Sequence, residues 1–263
     1  GLAWKLAWCS NGYRGWDDVS YRGWLYHGRC SGFGYVKSYG FGHEWGNYYE
    51  GFSDKYYYGY APPIHARRPI RFSSGGVIFY ISSPPFSRQW YLVGVYGGVE
   101  ILEQPEFDVS LWELIPDDVK GHLTDETARV LKGLEHAPLP TPTYFVIKAV
   151  KELSTPMPTP MPLNLKQDLG VNMLGQASFI YLDDDRIINL LSKAAYFIEE
   201  LKNMEITENL WIDCETALSR ISKLREYLAN MIPMWRSRPV SETTGKAESM
   251  VARIVRFHEK AGI

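Results

Sequence analysis

Cysteine is scarce in this chain: Cys9, Cys30 and Cys214 are the only three among 263 residues. They are too few and too scattered for a disulfide scaffold, so a reducing, cytoplasmic setting is the expectation. No apolar run reaches the roughly 18 residues that a membrane-spanning helix requires. The opening Gly1-Leu2-Ala3-Trp4-Lys5 lacks the charged, apolar and cleavable regions of a secretory signal, and a Gly in place of Met reads as the start of a cut fragment. Catalytic signatures are missing too. There is no Gly-x-Ser-x-Gly elbow, no His-Glu-x-x-His and no Cys-His pairing of catalytic type. Gly245-Lys246 lacks the upstream glycine of a phosphate loop. An enzyme is not supported, and no cofactor is expected.

What is present is unevenly distributed. The net charge of −2 conceals a basic front and an acidic back. Residues 1–100 carry 10 Lys and Arg against 6 Asp and Glu, whereas the rest carry 18 against 24. The same first hundred hold 14 of the 18 tyrosines, 6 of the 9 tryptophans and 17 of the 23 glycines. With 45% hydrophobic and 22% charged residues, the chain has enough apolar material for a sizeable core.

Along the chain, Trp4, Leu6 and Trp8 alternate as on a half-buried strand that runs into the turn Cys9-Ser10-Asn11-Gly12. Residues 13–60 read as irregular aromatic-glycine sequence. A strand is expected at Ile70-Arg71-Phe72, then a hairpin of Gly76–Ile81 with Trp90–Tyr96 around Ser82-Ser83-Pro84-Pro85. A strand over Val99–Leu102, a helix over Thr124–Leu134 and a strand over Tyr144–Ile147 follow. Pro156, Pro158, Pro160 and Pro162 suggest an extended polyproline-like connector. After a last strand at Ala177–Leu182, apolar residues recur every three or four positions. That predicts an amphipathic helix over 184–202, a second around Ala217–Met231 stopped by Pro233, and a third from about Ala247.

Four features compete as chemistry. His27-x-x-Cys30 has a plausible zinc spacing, but Cys9 and His43 complete no second close pair, so no metal site is assigned. Pro116-Asp117-Asp118-Val119-Lys120 contains an Asp-x-Lys, yet contiguous carboxylates before a helix read as a cap rather than a nuclease centre. The Asp183-Asp184-Asp185 run has the same explanation. The fourth feature rises above background: Trp16, Trp24, Trp45, Tyr48, Tyr49, Tyr56, Tyr57 and Trp90 lie in glycine-bounded segments beside Arg67, Arg68, Arg71 and Arg88. Aromatic planes stack on bases and arginines hold phosphates. Any one tryptophan taken singly is more often a packing residue. Sugar rings would suit the aromatics equally well, and the arginines favour nucleic acid.

The hairpin Gly75-Gly76-Val77-Ile78-Phe79-Tyr80 and Tyr91-Leu92-Val93-Gly94-Val95-Tyr96-Gly97-Gly98-Val99 resembles the central hairpin of PUA-like domains of the EVE, YTH and ASCH group. Met161–Leu169, then Gln176–Leu182 and the helix from Asp184, resemble the way EVE domains close. The likeness spans roughly residues 3–200, with an aromatic insertion at 13–60. A closer likeness is to the N-terminal recognition region of McrB-type modification-dependent restriction motors, with Arg256–Ile263 resembling the lead-in to the motor.

The resemblance implies an α+β chain: a PUA-like, EVE-type small twisted β-barrel with flanking helices over 1–203, then a helical segment over 204–263. It implies a non-catalytic module that reads modified DNA, with an AAA+ motor in cis and a nuclease subunit as partners, and RNA binding as the alternative. In YTH domains the first strand ends in a Ser-Asn pair, and Ser10-Asn11 occupies a similar place. The base pocket is therefore expected to involve Ser10, Asn11, Trp16, Trp45, Tyr49 and Trp90, and the phosphate contacts Lys55, Arg67, Arg68, Arg71 and Arg88.

Overall fold

The computed structural model describes residues 1–28, 34–62, 64, 68–85, 87–106, 111–131, 145–174 and 178–236. They form an α+β structure around a mixed seven-stranded sheet. The strands are β1 (Leu2–Lys5), β2 (Tyr56–Gly59), β3 (Gly76–Ser82), β4 (Trp90–Ile101), β5 (Ile147–Val150), β6 (Thr155–Leu163) and β7 (Phe179–Tyr181). Their order is β2-β5-β4-β3-β1-β7, with β6 added on β4. Only β1 and β3 run parallel; all other pairs are antiparallel. The expected barrel is not what these strands build. Long β4 gives one edge to β3 and divides the other between β6, along Trp90–Val95, and β5, at Glu100–Ile101. Among the described residues β2 and β7 do not meet, so the sheet stays open.

Side-chain alternation gives the sheet two different cores. On one face Ala3, Val77, Phe79, Ile81, Leu92 and Val95 join the helices α5 (Asp184–Lys202) and α6 (Glu208–Arg236) in an aliphatic cluster. On the other, Leu2, Trp4, Ile78, Tyr80, Val93 and Tyr96 join an aromatic cluster with Tyr13, Trp16, Tyr21, Phe41, Trp45, Tyr48 and Tyr57. β3 is buried on both faces, as its continuous apolar sequence requires. β4 breaks its alternation at two register shifts, so that Leu92 and Val95, three residues apart, share one face. Tyr80 faces Gly94 and Ile81 faces Leu92, which leaves Val93 as an extra residue, a bulge.

The 13–60 segment is not irregular. Its dense aromatics are the second core, organised by α1 (Asp18–His27), α2 (Gly34–Tyr39), two short 3-10 turns and β2. Asp17 caps α1 by accepting from the Ser20 N–H, and Gly28 ends it with φ +61°.

Three further expectations are corrected. Ile70–Phe72 is a turn closed by the Phe72 N–H on the Pro69 carbonyl at 2.9 Å. The proline series is strand β6 rather than a connector. β6 pairs antiparallel with β4 at Thr155–Pro156 and Met161–Leu163, across a register shift that leaves Met157–Pro160 unmatched, and its other, proline-rich edge has no strand partner among the described residues. Such an edge resists further strand addition. Helix α6 runs through Pro233 to Arg236, the last of the described residues, so the proline does not stop it where expected. The hairpin, the α5 boundaries and the Val99–Leu102 strand, which is a continuation of β4, agree with the sequence reading. The expected 124–134 helix is met by α4 (Asp125–Leu131), with residues 132–134 outside the described ones, and a separate short helix, α3 (Asp117–Lys120), precedes it. The helix expected from Ala247 lies outside the described residues.

Helix α6 is packed on the sheet. Cys214, Ala217, Ile221, Leu224, Tyr227 and Leu228 are all buried in the aliphatic cluster. The Tyr227 hydroxyl donates to the Gly75 carbonyl at 3.0 Å, and Arg220 donates to the Tyr57 hydroxyl at 2.9 Å and the Ser154 carbonyl at 3.3 Å. Leu224→Ala should therefore lower the stability of the whole sheet by about 2–5 kcal/mol. Thermal unfolding followed by tryptophan fluorescence and far-UV dichroism should shift together; a loss of helix signal alone, with the sheet unmoved, would show α6 to be an independent appendage.

Candidate functional site

The turn that leaves β1 encloses a pocket of about 240 Å³. Cys9, Ser10, Asn11, Gly12, Tyr13 and Arg14 form one wall. Opposite stand Val93, the bulged residue of β4, Met157, Pro158 and Pro160 of β6, and Asp213 of α6. Arg14 and Asp213 pair at 3.0 Å, linking the turn to the helix.

The turn is held by hydrogen bonds on its inner side. Gly12 and Tyr13 take φ of +73° and +63°, and Tyr13 is the only non-glycine among the described residues with positive φ. Such a conformation persists only where surroundings impose it. Here the buried Tyr13 hydroxyl donates to the Ala7 carbonyl at 2.8 Å. The buried Asp17 carboxylate accepts from both the N–H and the hydroxyl of Ser10. Asn11 donates to the Trp16 carbonyl at 2.9 Å and accepts from the Cys9 thiol at 2.9 Å. Burial, with the Asp17 charge close by, pushes the Cys9 thiol well above its ordinary range, so it is a packing sulfur and not a nucleophile.

The sequence-selected residues divide into three groups. Ser10 and Asn11 do line the pocket, although most of their hydrogen-bonding capacity already serves the turn. Trp16 and Trp45 do not line it. They are 8% and 1% exposed and meet edge to face at 5.5 Å, with Trp16 also packed on Tyr21 and Phe41. They brace the turn from behind: the Trp45 indole donates to the Trp8 carbonyl at 3.2 Å, and the Trp45 carbonyl accepts from the Gly15 N–H at 2.9 Å. Tyr49 packs on Phe52 at 5.0 Å, and Trp90 rests on the aliphatic cluster; neither lines the pocket.

The expected basic face is also divided. Arg88 lies in the loop between β3 and β4, at the end of the sheet where β1 enters the pocket turn. Arg68 and Arg71 precede β3 at the opposite end, beyond a seven-residue strand that spans roughly 20 Å. Lys55 opens the outer strand β2, and Arg67 lies outside the described residues. Among the described residues, however, Lys55, Arg68, Arg71 and Arg88 have no carboxylate within ion-pair distance, unlike Arg14, Arg22, Lys120, Lys148, Lys151, Arg186, Lys193, Lys202 and Lys223.

Sequence reasoning missed Arg14, Asp213 and the β6 prolines as pocket residues. Gly12 and Gly15 around Tyr13-Arg14 were a usable signal for a tight turn, but nothing local pairs Arg14 with a helix 199 residues later. Among the described residues no three His, Cys, Asp or Glu side chains converge as a metal site; Cys30 lies outside them. No helix among them is long and apolar enough to cross a membrane.

Glu44 is a second deeply buried acid near the turn, at 3% exposed, and it accepts from the Ala7 N–H at 2.7 Å. Burial raises its carboxyl from 4.5 to about 7. A carboxyl raised in the folded state is bound to its proton more tightly there than in the unfolded chain, so stability falls as pH climbs from 4.5 through 7 and is level above. Glu44→Gln keeps an acceptor without the charge. It should be more stable than wild type above pH 7, by up to about 3 kcal/mol, and equal near pH 4. Urea titrations across that range check this; parallel pH profiles for the two proteins would contradict it.

Comparison with protein-family models, with curated proteins and with solved structures finds no match.

Proposed function

We propose that this chain is a non-catalytic nucleic-acid recognition module that accepts one base in the pocket at the Ser10–Asn11 turn. The observation that carries the reading is the position of that pocket: it lies at the Ser10–Asn11 turn, which follows the first strand five residues beyond its end at Lys5, near the place at which PUA-like base readers take their base. Its volume of about 240 Å³ is below the roughly 300 Å³ at which sites for drug-sized ligands begin, and it suits a single planar ring. Tyr13, Val93, Met157 and Pro158 supply an apolar lining, and Ser10, Arg14 and Asp213 supply polar atoms at the wall.

The mechanism follows from these parts. Cations without carboxylate partners contact phosphates independently of sequence, giving salt-sensitive affinity. A base leaves the stack at a cost of a few kcal/mol and is compensated by contacts inside the pocket. The indoles of Trp16 and Trp45 shape the turn rather than sandwich the base. A methyl group against Met157 or Val93 adds only about 1 kcal/mol, so discrimination of a modified base is modest unless other bases are rejected. The PUA-like affinity of the sheet, the role as DNA reader of a McrB-type restriction system, and the AAA+ motor and nuclease partners belong to the same proposal. They are supported by the hairpin and the pocket position.

Fluorescence anisotropy at two salt concentrations tests it, with DNA duplexes carrying cytosine, 5-methylcytosine or N6-methyladenine, matched single strands and RNA. DNA binding that weakens with salt is expected, and Arg88→Ala should reduce the log–log salt slope by about 1. A preference for RNA would move the assignment to an RNA-binding module. No binding to any nucleic acid would remove it.

A further inference from the structure

The turn Pro69–Phe72 presents an unusual surface. Ile70 at its corner is 93% exposed, the most exposed large apolar side chain among the described residues. Yet the turn itself is fixed. The Phe72 N–H closes it on the Pro69 carbonyl at 2.9 Å, and Pro69 is buried. The Phe72 ring lies against Gly76, where a Cβ would come within 2.8 Å of it. The Arg71 N–H donates to the Tyr181 hydroxyl at 3.2 Å, and the Arg71 guanidinium lies 4.1 Å from the centroid of the same ring. On the other side of Ile70, Arg68 donates to the Glu103 carbonyl at 3.1 Å. Neither arginine has a carboxylate partner among the described residues.

A rigid turn that holds one bare aliphatic side chain between two unneutralised, oriented guanidinium groups matches a particular chemistry. Stacking on Tyr181 fixes the plane of Arg71, which favours bidentate contact with a phosphate over a diffuse charge cloud. One isoleucine is a wedge for a single base step, a device that duplex-binding proteins use to unstack and kink DNA. It is too little for a lipid surface, which takes a broad apolar helix face or more than one anchor. We propose that this turn is a second duplex contact, at the end of the sheet opposite the pocket, in which Ile70 inserts at a base step while Arg68 and Arg71 hold the flanking phosphates. It rests on the nucleic-acid reading above, which already gives Arg68 and Arg71 to phosphates, and adds to it the insertion of Ile70 at a base step.

The test uses the full chain, a DNA duplex bearing 2-aminopurine, and vesicles containing phosphatidylserine. Wild type should raise the 2-aminopurine fluorescence on binding. Ile70→Ser should abolish that rise and weaken binding about tenfold, with the salt slope unchanged, because only apolar contact is lost. Arg68→Ala and Arg71→Ala should each reduce the salt slope by about 1. The exposed Ile70 carries no packing, so a wild-type unfolding temperature for Ile70→Ser confirms that the fold is intact. Wild-type affinity and an unchanged fluorescence rise in Ile70→Ser would overturn the wedge while leaving the pocket reading in place. Vesicle binding that Ile70→Ser abolishes, without a DNA effect, would overturn it in favour of a lipid surface. Failure of the wild-type protein to bind any DNA would overturn both readings.

Discussion

The structure depends on how closely two layers approach the middle of β4. A Cβ on Gly94 would overlap the Tyr48 ring and hydroxyl, and one on Gly97 would come within 2.5 Å of both the Leu153 carbonyl and Leu224. Gly94 faces the aromatic core and Gly97 the aliphatic one, so the strand is thinned on both sides. Gly98 then takes φ +61° at the second register shift, a conformation that costs a side-chain-bearing residue more. With these three positions free of side chains, the hydroxyl end of Tyr48 closes on one face and α6 packs on the other. Fill either position and a layer must lift.

Several features follow from that arrangement. Because β4 carries partners along both halves of one edge, β5 and β6 diverge from it and the sheet cannot close in the described residues. The Val93 bulge, near the point where β6 pairs with β4, turns one extra side chain toward the β1 turn and so into the pocket. Close packing of α6 also brings Arg220 to Tyr57, whose hydroxyl in turn donates to Glu50, while Lys151 pairs with the same carboxylate at 2.6 Å. Burial alone would raise the Glu50 carboxyl, but Lys151 and Tyr57 outweigh it and hold it below the usual range. This network fastens the helical layer to the outermost strand, so that Asp213, one wall of the pocket, is positioned by the same helix.

Much of this was legible in residue patterns where one period dominates. The hairpin could be read from its apolar runs and α5 from its three-four repeat and Asp183 cap. The failures have specific causes. Aromatics at 13–60 lack a single period because they converge from helices, turns and β2 on one core, and periodicity detects only an element's own face. The β6 prolines read as a connector because they lack strand N–H donors and nothing local shows that β4 lies beside them at Thr155–Pro156 and Met161–Leu163. Ser10 and Asn11 line a pocket at a turn that the local sequence itself marks. Trp16 and Trp45 were misplaced because nothing in their neighbourhood distinguishes a stacking platform from a buried brace. Asp213 was invisible because its role depends on contact between segments far apart in the chain.

The claim at the centre is that a base enters the pocket beside Ser10 and Asn11. Backbone amide chemical shifts, followed while a short duplex carrying an unpaired base is added, examine that claim directly. Entry of the base requires the amides of Gly12, Arg14 and Val93 to shift together and saturably, with Asp213 moving as its pairing to Arg14 is disturbed. Shifts that spare these residues at saturation, with the DNA demonstrably bound elsewhere on the protein, would contradict it.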